Sequence, residues 1–568
     1  MTAQQLNGAS RDDDERLRVQ GQSQLSPSSP AATIHSSNNK QMTSATSPRD
    51  ESERVAVDEQ RPVKKAKLAS EPARRRVLEH PYGVKPVGNF YEDMDKGIKD
   101  CRAPGLGKLA FLSDMQMMSL LNYLPAKHLS LFGECSRACY VFSSHDELWR
   151  TLVLEEMEGN FQAEETWKDS YIVTKCNGKR RRKPIAVKGF YSDLLFQSFY
   201  CAAAPIEESW IAVETIDRRS ANDLSLEDFK RDYEMANRPV ILTEAIHKWP
   251  AIEKWTDEYL VKACEGQTFY AGGYQVSMDK YLHYSRTLVD DQPLFIFDKH
   301  FAVNVPALAA DYDVPQYFQE DFFSLLGGER PDYRWLIIGP KKSGSTFHID
   351  PNSTNAWNGV IRGSKKWIMF PPEIVPPGVH PSEDGGDVST PVSLMEWFVT
   401  FYPQIRKLPP RMKPLEGVCR EGEIVFVPHG WWHLVLNLDE SIAVTQNFVC
   451  KGNMKGVLRF LKDKPDQVSG MSYDKRPQLI NMFRDALEKN QPELLAKVDR
   501  EWEEENERKN RKSKWELLLQ GSSSQHPTQV DGKPAGEGEA AVVSAQSAAP
   551  SAQSAAPSAF GFGFTFDG

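Results

Sequence analysis

The chain has 568 residues, of which 40% are hydrophobic, 26% charged and 10% aromatic, so it is long enough for more than one domain of the usual size of roughly 100–200 residues. Its net charge of −9 excludes a protein whose whole surface is a basic footprint for nucleic acid. No stretch approaches the roughly 18 unbroken apolar residues of a membrane span, and the eight scattered cysteines, with no CxxC pair, are typical of reduced thiols in an intracellular protein.

Residues 1–100 are predicted to be disordered, because 1–75 are rich in Ser, Gln, Asn and acidic residues and poor in aromatic ones. They also lack the apolar core of a secretory signal. Two basic clusters in "KKAKLASEPARRR" (64–76) are typical of a two-part nuclear import signal, so we expect a nuclear protein that binds an import receptor, with a charged tail as the alternative. A second basic run, 178–184, fits a solvated loop or an RNA contact equally well.

Residues 105–157 are predicted to form a small all-α domain. Leucines up to Leu124 precede a break at Pro125, helical apolar spacing resumes beyond it, and a capping box at 144–147 predicts a further helix start. Within 106–154, the leucine-rich start, the "LP" step, "CSRACY" and "DELWR" occur in an order that resembles an F-box. That resemblance implies docking on the adaptor subunit of a cullin-RING ubiquitin ligase. The alternative is a helical packing module with no ligase role.

Residues 158–204 are interpreted as a connector and 205–455 as a β-rich domain. Short β-branched and aromatic runs are broken there by Gly, Pro or Asn, for example "PLFIFD", "YRWLIIGP", "NAWNGVI", "KKWIMFPP", "GEIVFVPHGWWHLVLNL" and "SIAVTQNFV". This pattern predicts a closed sandwich or barrel. Helical spacing returns in 456–519, and 520–568 is a low-complexity tail with a tandem "SAQSAAP" that is predicted to be disordered.

The stretch "STFHIDPN" places His348 and Asp350 two residues apart. On a strand, such side chains lie on the same face. A third ligand would complete the two-histidine, one-carboxylate triad of non-haem Fe(II), which leaves positions open for a cosubstrate and O₂. His433, in "VPHGWWHL", is the best third candidate because it opens a strong strand pattern; His429 lies closer to the turn and is the weaker one.

Lys365 follows a Gly-Ser turn in "NGVIRGSKKW". Inside a barrel its ammonium needs an anionic partner, which a dicarboxylate cosubstrate would supply. Thr445 and Asn447 share a face by strand alternation and could donate to the same carboxylate or to the reacting centre. A zinc hydrolase is the alternative, but the helical HExxH motif of such enzymes is absent and Lys365 would have no use in one.

Together, "HIDPNSTNAWNGVIRGSKKWIMFPP" and "GEIVFVPHGWWHLVLNLDESIAVTQNFV" resemble a JmjC Fe(II)/2-oxoglutarate dioxygenase. The branch is that of the phosphatidylserine-receptor-like lysyl hydroxylase and proposed arginine demethylase, and the similarity covers roughly 210–450. It implies a mixed fold, in which the small all-α F-box-like domain is followed by a double-stranded β-helix, the cupin or jelly-roll barrel, with flanking helices. The same resemblance implies that His348, Asp350 and His433 bind Fe(II).

The resemblance further implies that Lys365 pairs with the distal carboxylate of 2-oxoglutarate, with Thr445 and Asn358 supporting the cosubstrate. The branch commonly has Thr at the position of Ser345, and Thr346 is its neighbour, so either hydroxyl is a candidate contact.

The implied reaction uses O₂ to convert 2-oxoglutarate into succinate while a substrate C–H bond is hydroxylated. A methylene would become a hydroxylated side chain, whereas an N-methyl group would be lost as formaldehyde. We expect a protein substrate, either a histone tail or a Lys/Arg-rich nuclear protein, with lysyl hydroxylation as the first interpretation and demethylation of histone Lys or Arg as the second. The alternative function is a ubiquitin-ligase substrate adaptor in which the barrel serves for binding.

Overall fold

The computed structural model describes residues 78–175 and 183–521, with 512–521 described as backbone. All described residues fall in one compact unit of the chain, Arg76–Gly568. Of the segments predicted to be disordered, 1–77 and 522–568 lie outside the described residues, as do the import-like segment 64–76 and most of the basic run 178–184. Residues 78–100 are described and include a strand at Val84–Lys85 and a helix at Asn89–Asp95, so the prediction of disorder up to residue 100 is wrong for them. The last helix likewise extends to Gly521, just past the predicted start of the tail. Across the described ranges, no helix is both long and apolar enough to cross a bilayer.

The first part of the described chain is mainly helical, and we call it the helical module. Its elements are β1 (Val84–Lys85), α1 (Asn89–Asp95), α2 (Arg102–Leu106), α3 (Asp114–Leu121), α4 (Ala126–Gly133), α5 (Arg137–Ser143), α6 (Asp146–Met157), α7 (Trp167–Lys175), β2 (Phe190–Tyr191), α8 (Asp193–Ala203) and α9 (Glu208–Ile211). Ser113 and Gln116 form a capping box at the start of α3. Pro125 is the N-cap of α4, so the predicted helix break at this residue is confirmed.

The predicted capping box at the start of α6 is wrong. The N-cap of α6 is His145, and it makes no side-chain cap hydrogen bond. Ser144 Oγ instead accepts a hydrogen bond from Lys168 Nζ at 2.9 Å. The Asp146 carboxylate accepts two backbone N–H groups at the start of α7, at 3.0 and 3.1 Å. These side chains therefore tie α6 to α7 and do not close the end of α6.

Strands dominate the second part of the chain. They are β3 (Asp217–Ser220), β4 (Val240–Thr243), β5 (Thr268–Ala271), β6 (Tyr274–Ser277), β7 (Ile296–Asp298), β8 (Arg334–Gly339), β9 (Gly344–His348), β10 (Asn355–Arg362), β11 (Ser364–Phe370), β12 (His380–Pro381), β13 (Val388–Ser389), β14 (Leu415–Arg420), β15 (Ile424–Val427), β16 (Trp432–Asn437) and β17 (Ser441–Phe448). Each of the six apolar runs quoted from the sequence overlaps a strand, and the longest of them includes both β15 and β16, which confirms that prediction.

Helices flank these strands and follow them. They are α10 (Leu226–Phe229), α11 (Pro250–Lys254), α12 (Asp257–Ala263), α13 (Met278–Thr287), α14 (Phe301–Asn304), α15 (Pro306–Ala309), α16 (Leu394–Thr400), α17 (Tyr402–Ile405), α18 (Met454–Asp463), α19 (Leu479–Asn490) and α20 (Pro492–Gly521). Phe483 and Leu487 of α19 are fully buried and pack with Leu495 and Val498 of α20. The helical spacing predicted after the barrel is therefore confirmed.

Two sheets form the body of the second part. The larger has the order β3-β4-β15-β10-β17-β8-β7-β5-β6 and is mixed, because β3 and β4 run parallel while its other neighbours are antiparallel. The smaller has the antiparallel order β14-β11-β16-β9. Apolar side chains of both sheets form one cluster, with Val360 and Val425 from the larger sheet and Trp367 and Val435 from the smaller. The predicted double-stranded jelly roll with flanking helices is therefore present.

The helical module and the jelly roll share one hydrophobic core. A single cluster of buried side chains includes Phe142 and Trp167 of the module and Tyr284 of the jelly-roll part. Trp167 Nε1 donates a hydrogen bond to Asp290 Oδ2 at 2.9 Å, and Arg150 Nε lies 3.5 Å from the same carboxylate. Polar contacts therefore fix the orientation of two parts that the apolar core already holds together.

Candidate metal centre

The pairing of β9 with β16 brings the two predicted histidine ligands together. His348 is the cross-strand partner of His433. β9 ends at His348, and Asp350 follows in extended conformation before a tight turn that begins at Pro351. The expectation that His348 and Asp350 lie on one strand is therefore wrong in its bounds. The extended backbone nonetheless keeps both side chains on the same side of the chain.

The three predicted ligands can contact a single ion. One ligand atom from each of His348, Asp350 and His433 lies within 4.8 Å of the other two. Each imidazole Nδ1 forms a hydrogen bond with a backbone carbonyl, of Thr346 at 2.7 Å and of Trp431 at 3.0 Å. Because a carbonyl can only accept, Nδ1 carries the proton and the lone pair lies on Nε2, the arrangement that metal-binding histidines adopt.

Burial sets the charge of this donor set. It lowers the pKa of His348 and of His433 to about 4, and the proximity of His433 adds to the effect on His348. It raises the pKa of Asp350 to about 6. At neutral pH the centre therefore holds two neutral imidazoles and one carboxylate. Asp350 Oδ2 is buried with no hydrogen-bond partner among the described residues. Two neutral nitrogens and one carboxylate with a buried, unpaired oxygen fit a divalent ion, and this set is typical of non-haem Fe(II).

Lys365 lies on the face of the smaller sheet that carries His433. The β11–β16 register pairs Met369 with His433 and Lys365 with Asn437, so strand alternation places all four side chains on one face. Lys365 is 2% exposed, and its Nζ donates to Asn437 Oδ1 at 2.8 Å. Burial lowers the pKa of Lys365 to about 8, so the ammonium stays protonated at pH 7.

The next residue, Lys366, is fully buried on the opposite face. Its Nζ lies 2.9 Å from Glu416 Oε2 and donates to the Val213 carbonyl at 2.8 Å. Two consecutive lysines are thus buried in different ways. Lys366 has a carboxylate partner within the protein, whereas Lys365 has a neutral amide, so an anion from outside the chain would complete the surroundings of Lys365.

A β-bulge decides where the two candidate hydroxyls lie. On β16, His433 and Val435 are two positions apart, while their partners on β9, His348 and Ser345, are three positions apart. One extra residue is therefore inserted in β9, and Ser345 lies opposite Val435, on the face of His433. Thr346 supplies the backbone carbonyl that orients His348. Of the two hydroxyls, Ser345 thus lies on the inner face.

The other predicted cosubstrate residues lie on the larger sheet. Asn358 is the cross-strand partner of Thr445 in the β10–β17 pair. The Thr445 hydroxyl donates to the Trp357 carbonyl at 2.8 Å, so it can accept a further hydrogen bond but its proton is already used. Asn358 Oδ1 is buried with no hydrogen-bond partner among the described residues. Asn358 therefore retains more unused polar capacity than Thr445.

Asn447 is placed beside the metal centre. Its Nδ2 donates to Thr354 Oγ1 at 2.8 Å, and the same amide, near the Asp350 carboxylate, acts to lower the pKa of that group. Sequence alternation assigned Asn447 either to the cosubstrate carboxylate or to the reacting centre. The position of Asn447 favours the second role, since its amide acts on the charge of a metal-ligand candidate.

Two residues of the site were missed from the sequence. Trp367 lies between Lys365 and Met369 on the inner face, and its ring stacks on that of His433 with a centroid separation of 5.9 Å. Asn437 holds Lys365. Strand alternation could have identified both residues. Two steps of two residues along β16 lead from His433 to Asn437, and one such step along β11 leads from Lys365 to Trp367.

Comparisons with known proteins agree with this geometry. A cupin-like domain model matches residues 274–452. The chain is 44% identical over 431 residues to the arginine-specific demethylase JMJ22 of Arabidopsis thaliana, covering 74% of this chain and 84% of that protein. It is 38% identical over 304 residues to the bifunctional arginine demethylase and lysyl-hydroxylase psr-1 of Caenorhabditis elegans, covering 50% of this chain and 70% of that protein. It is also 27% identical over 285 residues to the 2-oxoglutarate and iron-dependent oxygenase JMJD4 of Danio rerio, covering 45% of this chain and 65% of that protein. The cupin-like domain, the His-Asp-His centre and these similarities together show that the chain belongs to the JmjC family of iron- and 2-oxoglutarate-dependent oxygenases.

Proposed function

We propose that this oxygenase removes N-methyl groups from arginine side chains of a protein substrate and hydroxylates lysyl side chains at the same centre. The observation that carries this proposal is the similarity to a protein named as an arginine-specific demethylase, which covers 84% of that protein. The similarity to a protein named for both activities supports the pairing of the two reactions. The family resemblance alone favours lysyl hydroxylation, whereas the similarity to these two proteins favours methylated arginine as the first substrate to test.

In this proposal, His348, Asp350 and His433 hold Fe(II), which when bound supplies the activation of O₂ coupled to oxidation of 2-oxoglutarate to succinate and CO₂. Lys365 binds the distal carboxylate of 2-oxoglutarate through a charge-assisted hydrogen bond, which is stronger than a neutral one. Ser345, on the inner face with Lys365 and His433, donates its hydroxyl to the same cosubstrate.

Other residues complete the cosubstrate site and exclude water from it. Asn358 offers its amide to 2-oxoglutarate, and the Thr445 hydroxyl contributes as an acceptor. The rings and methyl groups of Trp367, Val435 and Met369 line the inner face next to these groups. Exclusion of water there strengthens each polar contact with the cosubstrate.

The test is turnover by the purified chain with Fe(II), 2-oxoglutarate and O₂. Methylarginine-containing and lysine-containing histone-tail peptides would be supplied, and succinate and peptide masses would be measured. Loss of a methyl group with release of formaldehyde supports demethylation, and gain of one oxygen on an unmethylated peptide supports hydroxylation. His348→Ala is the control. Succinate no higher than in this variant, in protein shown to contain iron, would contradict the proposal.

A second candidate function is that of a ubiquitin-ligase adaptor, and one observation favours it. The helical module exposes large apolar side chains around α3 and α4: Phe111 is 80% exposed, Met115 68% and Tyr123 86%. Exposed apolar patches of this kind mark interaction sites. We propose that this surface docks on the adaptor subunit of a cullin-RING ligase, as the F-box resemblance of 106–154 implies.

Capture of that adaptor subunit by the purified chain tests this function. Met115→Glu and Tyr123→Asp should abolish capture. Tyr473→Asp, at a residue 71% exposed outside the helical module, is the matched control and should leave capture intact. Equal capture by all variants, or none by the wild-type chain, would contradict an F-box role.

We further propose that the protein acts in the nucleus on a histone tail or another Lys/Arg-rich protein. The basic clusters in 64–76 support binding to an import receptor, and the run 178–184 supports a contact with RNA. Alanine substitution of each basic run separates the two contacts. Loss of nuclear accumulation of a fluorescent fusion is expected for the first run, and weaker, less salt-dependent RNA binding for the second. Unchanged behaviour in either assay would contradict the corresponding contact.

A further inference from the structure

We propose that Asn437 is a positioning residue for 2-oxoglutarate, because its neutral amide fixes the Lys365 ammonium in place without neutralising its charge. The charge then stays available for the distal carboxylate of the cosubstrate. This inference rests on the role proposed above for Lys365, and it adds a determinant of cosubstrate affinity on the neighbouring strand.

The orientation of the Asn437 amide is fixed from both sides. Asn437 is 1% exposed, its Oδ1 accepts from Lys365 Nζ at 2.8 Å, and its Nδ2 donates to Ser343 Oγ at 2.9 Å. Ser343 Oγ in turn donates to the Pro340 carbonyl at 2.7 Å. A reversed amide would place two donors against each other at Lys365, so this chain of hydrogen bonds has one direction.

The loop between β8 and β9 is shaped around this chain of hydrogen bonds. A Cβ atom at Gly339 would lie 2.3 Å from Ser343 Oγ and 2.6 Å from Asn437 Nδ2. The backbones of Ser343 and Asn437 also pair, since Asn437 N–H donates to the Ser343 carbonyl at 2.8 Å. Asn437 is thus bound to the loop through both its backbone and its side chain. This leaves the amide, and Lys365 Nζ bonded to it, little freedom to move.

The groups around Lys365 leave its charge uncompensated. Its other cross-strand partner is Cys419, which is fully buried, and burial raises the pKa of that thiol so that it stays neutral. Among the described residues, no carboxylate lies within ion-pair distance of Lys365 Nζ. Lys366 provides the internal comparison, because Glu416 neutralises it at 2.9 Å. Lys366 also donates to the Val213 carbonyl, but the difference that sets the charge is amide against carboxylate, and only the amide leaves an ammonium able to attract an anion.

Asn437→Asp is the sharpest test because it changes charge with almost no change in shape. A carboxylate at this position would pair with Lys365 as Glu416 pairs with Lys366, and would compete with the distal carboxylate of 2-oxoglutarate. We expect the Kd for 2-oxoglutarate to rise at least about tenfold, the scale of one hydrogen bond to a charged group. The Kd would be measured by anaerobic titration calorimetry on Mn(II)-loaded protein, which records binding without turnover. The Mn(II) affinity should not change.

Asn437→Ala is a second variant that keeps the inference testable if Asn437→Asp does not fold. It removes the acceptor without adding a charge. We expect a smaller rise in Kd. As the pH rises, binding of 2-oxoglutarate should be lost at a lower pH than in the wild type, because Lys365 loses a group that favours its protonated form. Glu416→Gln is the matched control at Lys366; it should lower the melting temperature and leave the Kd for 2-oxoglutarate unchanged.

The outcomes for the Asn437 and Lys365 variants separate this inference from the role of Lys365. A folded Asn437→Asp variant with the wild-type Kd would overturn the inference, as would an Asn437→Ala variant with the wild-type Kd and pH profile. Lys365→Gln tests the proposed function on its own. If Lys365→Gln abolishes 2-oxoglutarate binding while the Asn437 variants bind normally, the positioning role alone fails. If Lys365→Gln binds normally, the role of Lys365 fails and the inference fails with it.

Discussion

His348 lies directly opposite His433 in the pairing of β9 with β16, with the centroids of the two imidazole rings 4.1 Å apart. The metal centre therefore depends on the register of two strands that are distant in sequence. A slip of one residue would turn one histidine to the other face of the sheet and dismantle the centre. The bulge in β9 and the Asn437–Ser343 contact both act against such a slip.

Metal affinity is expected to fall as the pH drops through about 6. Burial raises the pKa of Asp350 to about 6, while both histidines stay neutral down to about pH 4, so protonation of Asp350 is the first event to remove a ligand. Titration of Mn(II) or Fe(II) between pH 5 and 8 checks this, since metal binding and ligand deprotonation are linked. Constant affinity across that range would contradict it.

Asp350→Asn should stabilise the metal-free protein at pH 7 while it abolishes metal binding. The folded-state pKa of Asp350 is raised above the ordinary value of 3.8, so its contribution to stability is present at low pH and is lost as the pH rises through about 6. Removal of the buried charge should recover about 1–3 kcal/mol of unfolding free energy, given roughly 1.4 kcal/mol per pKa unit. Chemical denaturation of both proteins at pH 4 and pH 7 measures this. If the difference in unfolding free energy between Asp350→Asn and the wild type is the same at pH 4 and at pH 7, the expectation is contradicted.

Binding of 2-oxoglutarate is expected to weaken as the pH rises through about 8. Burial lowers the pKa of Lys365 to about 8, and the neutral amine formed above it no longer attracts a carboxylate. Lys365→Met should abolish this binding without loss of stability at pH 7, because an ammonium whose folded-state pKa is depressed destabilises the fold below that pKa. Calorimetric titration and melting temperatures test both statements. A lower melting temperature in Lys365→Met would contradict the second.

Lys366→Met is expected to have the opposite effect. This substitution leaves the buried Glu416 carboxylate with the Tyr402 hydroxyl at 2.9 Å but without its cation. Removal of one partner from a buried ion pair costs about 3–5 kcal/mol. We expect a large fall in unfolding free energy and, in the fraction that stays folded, an unchanged Kd for 2-oxoglutarate. Similar stabilities of the two lysine variants would show that the distinction between the two faces is wrong.

Ser345→Ala and Thr346→Ala should differ. Ser345 lies opposite Val435 on the inner face, so its substitution should raise the KM for 2-oxoglutarate several-fold. Thr346 acts through its backbone carbonyl on His348, which an alanine keeps, so Thr346→Ala should be nearly silent. Kinetics of succinate formation distinguish the two. A larger effect of Thr346→Ala would mean that the bulge does not present Ser345 to the cosubstrate.

Local periodicity in the sequence was sufficient to predict the main barrel strands and a closed β-sandwich or barrel, and the family resemblance specified the jelly roll. The close spacing of His348 and Asp350 and the strand pattern that begins at His433 indicated the three metal-ligand candidates. The position of Ser345 could not be predicted, because a bulge exists only relative to the partner strand. The different environments of Lys365 and Lys366 also required the fold, since their partners, Asn437 and Glu416, come from other strands. The failed capping box at Ser144 has the same origin, as a lysine of the next helix binds that hydroxyl.

The shared core of the helical module and the jelly roll has a consequence for how the enzyme can be divided. Trp167 and Phe142 lie in the same buried cluster as Tyr284, so removal of the module would bring the apolar back of the catalytic barrel into water. A truncated chain that begins at β3 is expected to aggregate, and cannot serve as a minimal enzyme. Any partner bound to the exposed side of α3 and α4 would, for the same reason, keep a fixed orientation relative to the barrel, so recruitment and catalysis would take place in one rigid body.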